Sequence, residues 1–161
     1  MGGSEVTAVG PGAEAVAVTL EAVVVAMGLD AQVVVAAGPD ENDLDVTVVG
    51  DGTSALVGRG GETIDALQYL LAQVASRAEG GARRRVMLDA DGYRARREAA
   101  LVELAEQAAR EAVEYGDEIE LDAMTPHDRR IVHMALKEKP GIVTRSEGEE
   151  PRRRIIVEPA E

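Results

Sequence analysis
The sequence predicts a mixed α/β chain of the α+β kind, built as two small modules in tandem. Three observations carry that prediction. Runs with apolar residues at helical spacing alternate with short β-branched runs, so both element types are present. With 161 residues, 45% of them apolar, the chain can bury a core and suits one domain or two small ones. A turn cluster, Asp89-Ala90-Asp91-Gly92, separates an α-β-β-α-α-β succession from an α-β-α-β-β one. The expected layout is a flexible start over 1–11, a first module over 12–92 and a second over 93–161.

Residues 1–11 are small and polar and end in Gly10-Pro11, the composition of a frayed terminus. Ala13 to Met27 carries apolar residues at helical spacing, with Gly28 where a C-cap belongs. Gln32 to Ala36 and Leu44 to Val49 are β-branched runs joined by the turn cluster Gly38-Pro39-Asp40-Glu41-Asn42-Asp43, which reads as a hairpin. Thr53 to Val57 makes one helical turn before Gly58-Arg59-Gly60-Gly61. Glu62 to Ala78 then sets residues 64, 67, 70, 71 and 74 on one helical face. Val86-Met87-Leu88 is the third strand of the first module.

The second module opens with a long helix, Tyr93 to Tyr115, closed by Gly116. Asp117 to Leu121 alternates charge with Ile119 and Leu121, as a half-buried strand does. Thr125-Pro126-His127-Asp128 has the order of a helix start, with Thr at N-cap, Pro at N1 and an acid at N3. That helix runs to about Glu138 and stops before Pro140-Gly141. Ile142-Val143-Thr144 and Arg154-Ile155-Ile156-Val157 are strands joined by the polar loop Ser146 to Pro151.

The net charge is −13, which speaks against a general basic coat for nucleic acid. Its distribution is uneven: residues 1–122 hold 9 Arg, no Lys and 23 acids, whereas residues 123–161 hold 8 basic and 7 acidic residues. Binding of an anionic polymer then has to run through local sites. With three Tyr, no Phe and no Trp, modules that stack bases on aromatic platforms are disfavoured. The absence of cysteine excludes disulfides, thiolate nucleophiles and Cys-based metal sites. The longest apolar stretch, Ala15 to Ala37, is interrupted by Glu21, Asp30 and Gln32, so no membrane insertion is expected. The start, Met1-Gly2-Gly3-Ser4-Glu5, lacks the basic region of a signal peptide, and a cytoplasmic protein is expected.

Two constellations carry chemistry. Gly58-Arg59-Gly60-Gly61 lies between a β-patterned run and a helix, where glycines around a base let backbone amides approach a phosphate. A GxxG loop so placed is how KH domains clamp single-stranded nucleic acid. Arg129 and His133, four apart, share one helical face, and a guanidinium with an imidazole there can grip neighbouring phosphates. Because histidine gains charge as pH falls across neutrality, binding is expected to be tighter at about pH 6 than at about pH 8. Arg130, Lys137, Arg145 and Arg153 lie near that pair in sequence and are further candidates, with pairing to Glu147, Glu149 and Glu150 as the ordinary alternative.

Enzymatic readings fail on context. Gly50-Asp51-Gly52-Thr53-Ser54-Ala55 spells a dinucleotide fingerprint, yet it follows a hairpin and its helix is broken by the next glycines. The Gly-Lys-Ser/Thr ending of a P-loop is missing. His127 and His133 are six apart and fall on different helical faces, so no metal is expected. Neither a catalytic residue nor a cofactor is expected.

Four stretches carry a family resemblance: Gly58 to Leu70, Asp91 to Glu98, Met124 to His133 and Ser146 to Pro151. Together, over roughly residues 13–158, they resemble the bacterial Jag/KhpB (SpoIIIJ-associated) proteins. Those proteins join a type II KH domain to a domain named for an Arg-x-x-x-His pair, the R-three-H domain. The resemblance implies single-stranded RNA binding, with single-stranded DNA as the other strand chemistry. It also implies an RNA chaperone or post-transcriptional regulator linked to cell elongation and envelope homeostasis, accompanied by a small KH-only protein. Carried over by motif, the contacts are Gly58, Arg59, Gly60 and Gly61 in the first module and Arg129 and His133 in the second. The family usually has a base where this chain has Gly60, a loss of about 1.5–3 kcal/mol of binding if one charge-assisted contact is missing. Fuller members also carry an N-terminal domain, which this chain is expected to lack. The rival reading is a protein-interaction scaffold with little RNA binding, motivated by the acidic first 122 residues.

Overall fold
The computed structural model describes residues 4–8 and 10–160. The chain divides between Tyr93 and Arg94 into two units. In the first, the elements are β1 (Ser4–Val6), α1 (Pro11–Ala26), β2 (Asp30–Ala37), β3 (Asp43–Asp51), α2 (Ser54–Val57), α3 (Glu62–Ala78) and β4 (Arg85–Ala90). The sheet order is β1-β2-β3-β4, with β2 and β3 antiparallel and the outer pairs parallel. Alternate residues face one side, as period two requires: Ala31, Val33 and Val35, then Leu44, Val46 and Val48, then Val86, Leu88 and Ala90 are all buried. Against them pack Val16, Leu20 and Val24 of α1 and Ile64, Leu71 and Ala75 of α3, giving one core under two helices.

Three differences from expectation have physical reasons. Ser4–Val6 is a strand rather than a frayed start: it pairs with Val33–Val35, and the Thr7 N–H donates to the Val35 carbonyl at 2.9 Å. Its side chains are exposed, so backbone bonds hold it and apolar pattern does not record it. Residues 1–3 and 9 lie outside the described residues. The hairpin strands extend to Asp30 and Asp51 because ladder pairing outlasts the apolar run. On α3 the buried line is Ile64, Leu71 and Ala75, while Leu70 is 49% exposed, about one residue's rotation away.

One contact ties the ends of this unit together. The N-cap of α1, Gly10, has no side-chain acceptor, and the Glu79 carboxylate lies instead against Gly12, where an added Cβ would come within 2.5 Å of Oε1. Arg84 Nε donates to Glu79 Oε2 at 2.6 Å, and Arg84 Nη1 donates to the Glu41 carbonyl at 2.8 Å. That guanidinium bond, with the Arg84 charge and the Gly12 N–H adding to it, holds the Glu79 carboxyl below its ordinary value of 4.5 in spite of burial. A lowered folded-state pKa contributes stability above the unfolded value and loses it as pH falls through the folded one. Glu79→Gln is therefore expected to cost about 1–3 kcal/mol at about pH 7 and much less at about pH 3. Urea melts at the two pH values check this; a cost that stays constant would count against the latch.

The second unit holds α4 (Tyr93–Tyr115, all but its first residue), β5 (Ile119–Glu120), α5 (Pro126–Leu136), β6 (Ile142–Glu147) and β7 (Arg154–Pro159). Its antiparallel sheet has the order β5-β7-β6. Leu101, Ala105, Ala108, Ala109 and Ala112 of α4, Val132 and Leu136 of α5, and Ile142, Ile155 and Val157 of the sheet make the core. Four of the five α4 residues are alanines, which allow close helix packing. The expected strand over 117–121 shrinks to two residues; beyond it, Leu121 and Met124 N–H donate to Ile155 and Arg153 carbonyls in an irregular path. Thr125 Oγ1 accepts from the Asp128 N–H at 3.3 Å, the N-cap bond its position predicts.

Candidate nucleic-acid interface
The chain leaves α2 at Gly58, with φ 70° and ψ −171°, and makes one tight turn over Arg59–Gly61 before α3. A side chain at Gly58 would overlap Thr63, so the loop can close only on glycine. Gly60 has φ 60° and ψ 16°, and nothing lies within 4 Å of where its Cβ would be. It therefore faces open space in the left-handed region. Arg59 is exposed, and among the described residues no carboxylate lies within ion-pair distance of it. The α3 N-terminus has no side-chain cap, which leaves its first-turn N–H groups directed outward. Glu62 and Asp65 occupy that turn and oppose a bound anion, so Arg59 is the group that offsets them.

A groove of about 680 Å³ runs from Asp65, in that first turn, along α3 and the start of β4. It is lined by Gln68, Tyr69 and Gln73 of α3, by Arg83, Arg84 and Arg85, and by Asn42 of the β2–β3 turn. Tyr69 is 69% exposed. Gln68 Oε1 accepts the Leu88 N–H at 2.9 Å and so caps the outer edge of β4. A ring, side-chain amides and guanidinium groups along one channel match the faces, edges and phosphates of unpaired nucleotides. This channel is not legible in the sequence, because its residues come from three segments. The run Arg83-Arg84-Arg85 is its local signal, since all three line the groove, with Arg84 also held by Glu79 and Arg85 Nη1 lying 3.9 Å from Asp43 Oδ2.

In the second unit the structure redistributes the expected residues. Arg129 does not lie on the solvent face: it is 8% exposed, Nη1 donates to the Met124 carbonyl at 2.8 Å, and Nη2 meets Glu150 Oε1 at 2.5 Å. The four-residue spacing places it beside His133, but the β6–β7 connection covers it. His133 is exposed, with Nδ1 at 2.6 Å from Thr144 Oγ1 of β6. Arg130 and Lys137 are exposed, three residues before and four after His133, so they continue its helical face. Met134 lies between them, 52% exposed. Asp128, at 3% exposure, accepts Arg97 Nε at 3.1 Å and Nη2 at 2.8 Å.

Arg145 stands among three carboxylates, bonding Glu147 and Glu118 and lying 3.5 Å from Glu158. The bond to Glu147 and the surrounding negative charge raise its pKa above the ordinary value. Its charge is thus neutralised locally. Arg153 precedes β7 and is exposed, and Arg154, the first residue of the strand, pairs with Glu120. Arginines adjacent in sequence have opposite fates here.

A family model described as "KhpA/KhpB, KH domain" matches residues 13–88, and one for the R-three-H domain matches residues 99–159. The chain is 37% identical over 138 residues to the RNA-binding protein KhpB of Clostridium symbiosum, covering 86% of this chain and 62% of that protein. It is 42% identical over 102 residues to the RNA-binding protein KhpB of Lactiplantibacillus plantarum, covering 63% of this chain and 31% of that one. With the protein of the same name from Bacillus subtilis it shares 30% identity over 112 residues, or 68% and 53% of the two chains. The chain thus spans less than two thirds of the length of each of these relatives.

Proposed function
The chain belongs to the Jag/KhpB family, and from that premise we propose that it binds single-stranded RNA through two local sites. The observation that supports this most is the open GRGG turn: a glycine-built loop with Arg59 free, set before an uncapped helix. The loop and the adjoining groove hold a few nucleotides, and the Arg130, His133 and Lys137 face of α5 adds phosphate contacts. Two weak sites on one chain reinforce each other through effective concentration, which offsets the acidic bulk. The KH and R-three-H pairing points to a binding protein rather than an enzyme. The finer roles, RNA chaperoning or post-transcriptional control tied to cell elongation and envelope homeostasis, with a KH-only companion in the cytoplasm, belong to this proposal.

Ultraviolet crosslinking of the purified protein to RNA, with the linked peptides identified by mass spectrometry, tests the placement. Linked peptides are expected to contain Gly58–Gly61, the groove residues of α3 and Arg83–Arg85, or Arg130–Lys137. Crosslinks confined to other segments would contradict it. Single-stranded DNA of the same sequence measures strand preference. His133→Ala is expected to weaken binding about fivefold or more, the effect of one lost hydrogen-bonded contact; unchanged affinity would remove His133 from the interface.

A further inference from the structure
Resting on the RNA-binding reading above, we propose that Arg129 is a positioning residue that does not itself meet RNA. Arg152 and Arg153, held in place through it, form a phosphate-binding site of the second unit. The Arg129 guanidinium is already engaged on two sides, by the Met124 carbonyl and by a fork onto both oxygens of Glu150. Its side chain is 10% exposed, against 52% for Glu150. To meet a phosphate it would have to leave both partners and the interior, whereas Arg152 and Arg153 already stand in solvent.

Those bonds close a ring. The Met124 carbonyl accepts from Arg129, Arg129 holds Glu150, and the Met124 N–H donates to the Arg153 carbonyl at 3.2 Å. Within the turn, the Arg152 N–H donates to the Glu149 carbonyl at 2.8 Å. Both sides of Arg152 are thus anchored to the start of α5. Four arginines belong to this hairpin, and their environments divide them. Arg145 is neutralised by Glu118, Glu147 and Glu158, and Arg154 pairs with Glu120. For Arg152 and Arg153 no carboxylate lies within ion-pair distance among the described residues. Glu147 and Glu150 are committed to Arg145 and Arg129, so of the three acids in this connection Glu149 is left against two arginines, Arg152 and Arg153. Guanidinium forks suit phosphate, and a fixed backbone reduces the entropy lost when they bind it.

The test is the salt dependence of binding of a fluorescein-labelled oligouridylate of about twelve nucleotides. Each lost phosphate contact on a single strand lowers the log–log slope by about 0.7. Arg152→Gln with Arg153→Gln is expected to lower the slope by about 1.4 and weaken binding at least about fivefold. Arg129→Met with Glu150→Leu replaces the ion pair by apolar groups, a change that often leaves folding intact, and is expected to keep the wild-type slope. A slope lowered by about 0.7 in that variant, or left unchanged in the Arg152/Arg153 variant, would overturn the assignment. Because Arg152 and Arg153 are exposed, their variant keeps the fold and decides the matter even if the Arg129 variant melts early. The positioning role has its own readout without RNA: Arg129→Met alone should speed hydrogen exchange at the Met124 and Arg152 amides about tenfold or more. Unchanged exchange overturns the positioning role. Fast exchange in a protein whose wild type binds no oligouridylate overturns the RNA reading and the phosphate site with it, and leaves the strut in place.

Discussion
Arg129→Ala is expected to lower the stability of the second unit by about 2–3 kcal/mol, and its melting temperature by about 10 °C. The substitution removes a largely buried side chain and strips the Met124 carbonyl of a donor. It also frees the connection that Glu150 closes onto α5. Glu150 is half exposed, so its carboxylate rehydrates, which keeps the cost below that of an uncompensated buried charge. Calorimetry of the full chain checks this. A variant that melts like the parent but no longer binds RNA would restore Arg129 to the interface and contradict its structural role.

The second large effect is expected at Gly60, and it has two signs. Gly60→Lys restores a base to the loop at a position open to solvent, and a charge-assisted contact of about 1.5–3 kcal/mol corresponds to about tenfold tighter binding or more. Gly60→Asp sets a negative charge at the same place and is expected to weaken binding about tenfold or more. Both substitutions place a side chain at φ 60° and lower stability by about 1 kcal/mol, since the left-handed conformation suits glycine. That strain is present in free and bound protein alike, so it leaves the affinity change readable. Equal affinities for the two variants, measured by fluorescence anisotropy, would show that the loop does not meet RNA.

Much of the fold is legible in the residues because local signals agree with it. Glu62–Ala78 and Tyr93–Tyr115 have the bounds their spacing predicts, and Thr125 caps α5 as its position implies. What escapes is held by contacts distant in sequence. Ser4–Val6 is a strand only because β2 offers an edge, and Glu79 stands at the start of α1 only because the chain returns there. The candidate site divides in the same way. The GRGG turn can be read locally, since glycine geometry is a property of four residues. The exposure of Arg129, Arg145 and Arg153 is not, because which arginine meets a carboxylate depends on where Glu118, Glu150 and Glu158 arrive from other elements. The groove beside Tyr69 likewise needs α3, β4 and the β2–β3 turn together.

The central claim is that two local sites on this acidic chain bind single-stranded RNA. Its most direct test is an anisotropy titration of a short unstructured RNA with the wild type and with Gly60→Asp combined with His133→Ala, at two salt concentrations. The wild type is expected to bind with an affinity that falls as salt rises, and the combined variant to bind at least about a hundredfold more weakly. Equal affinity for the two proteins would contradict it.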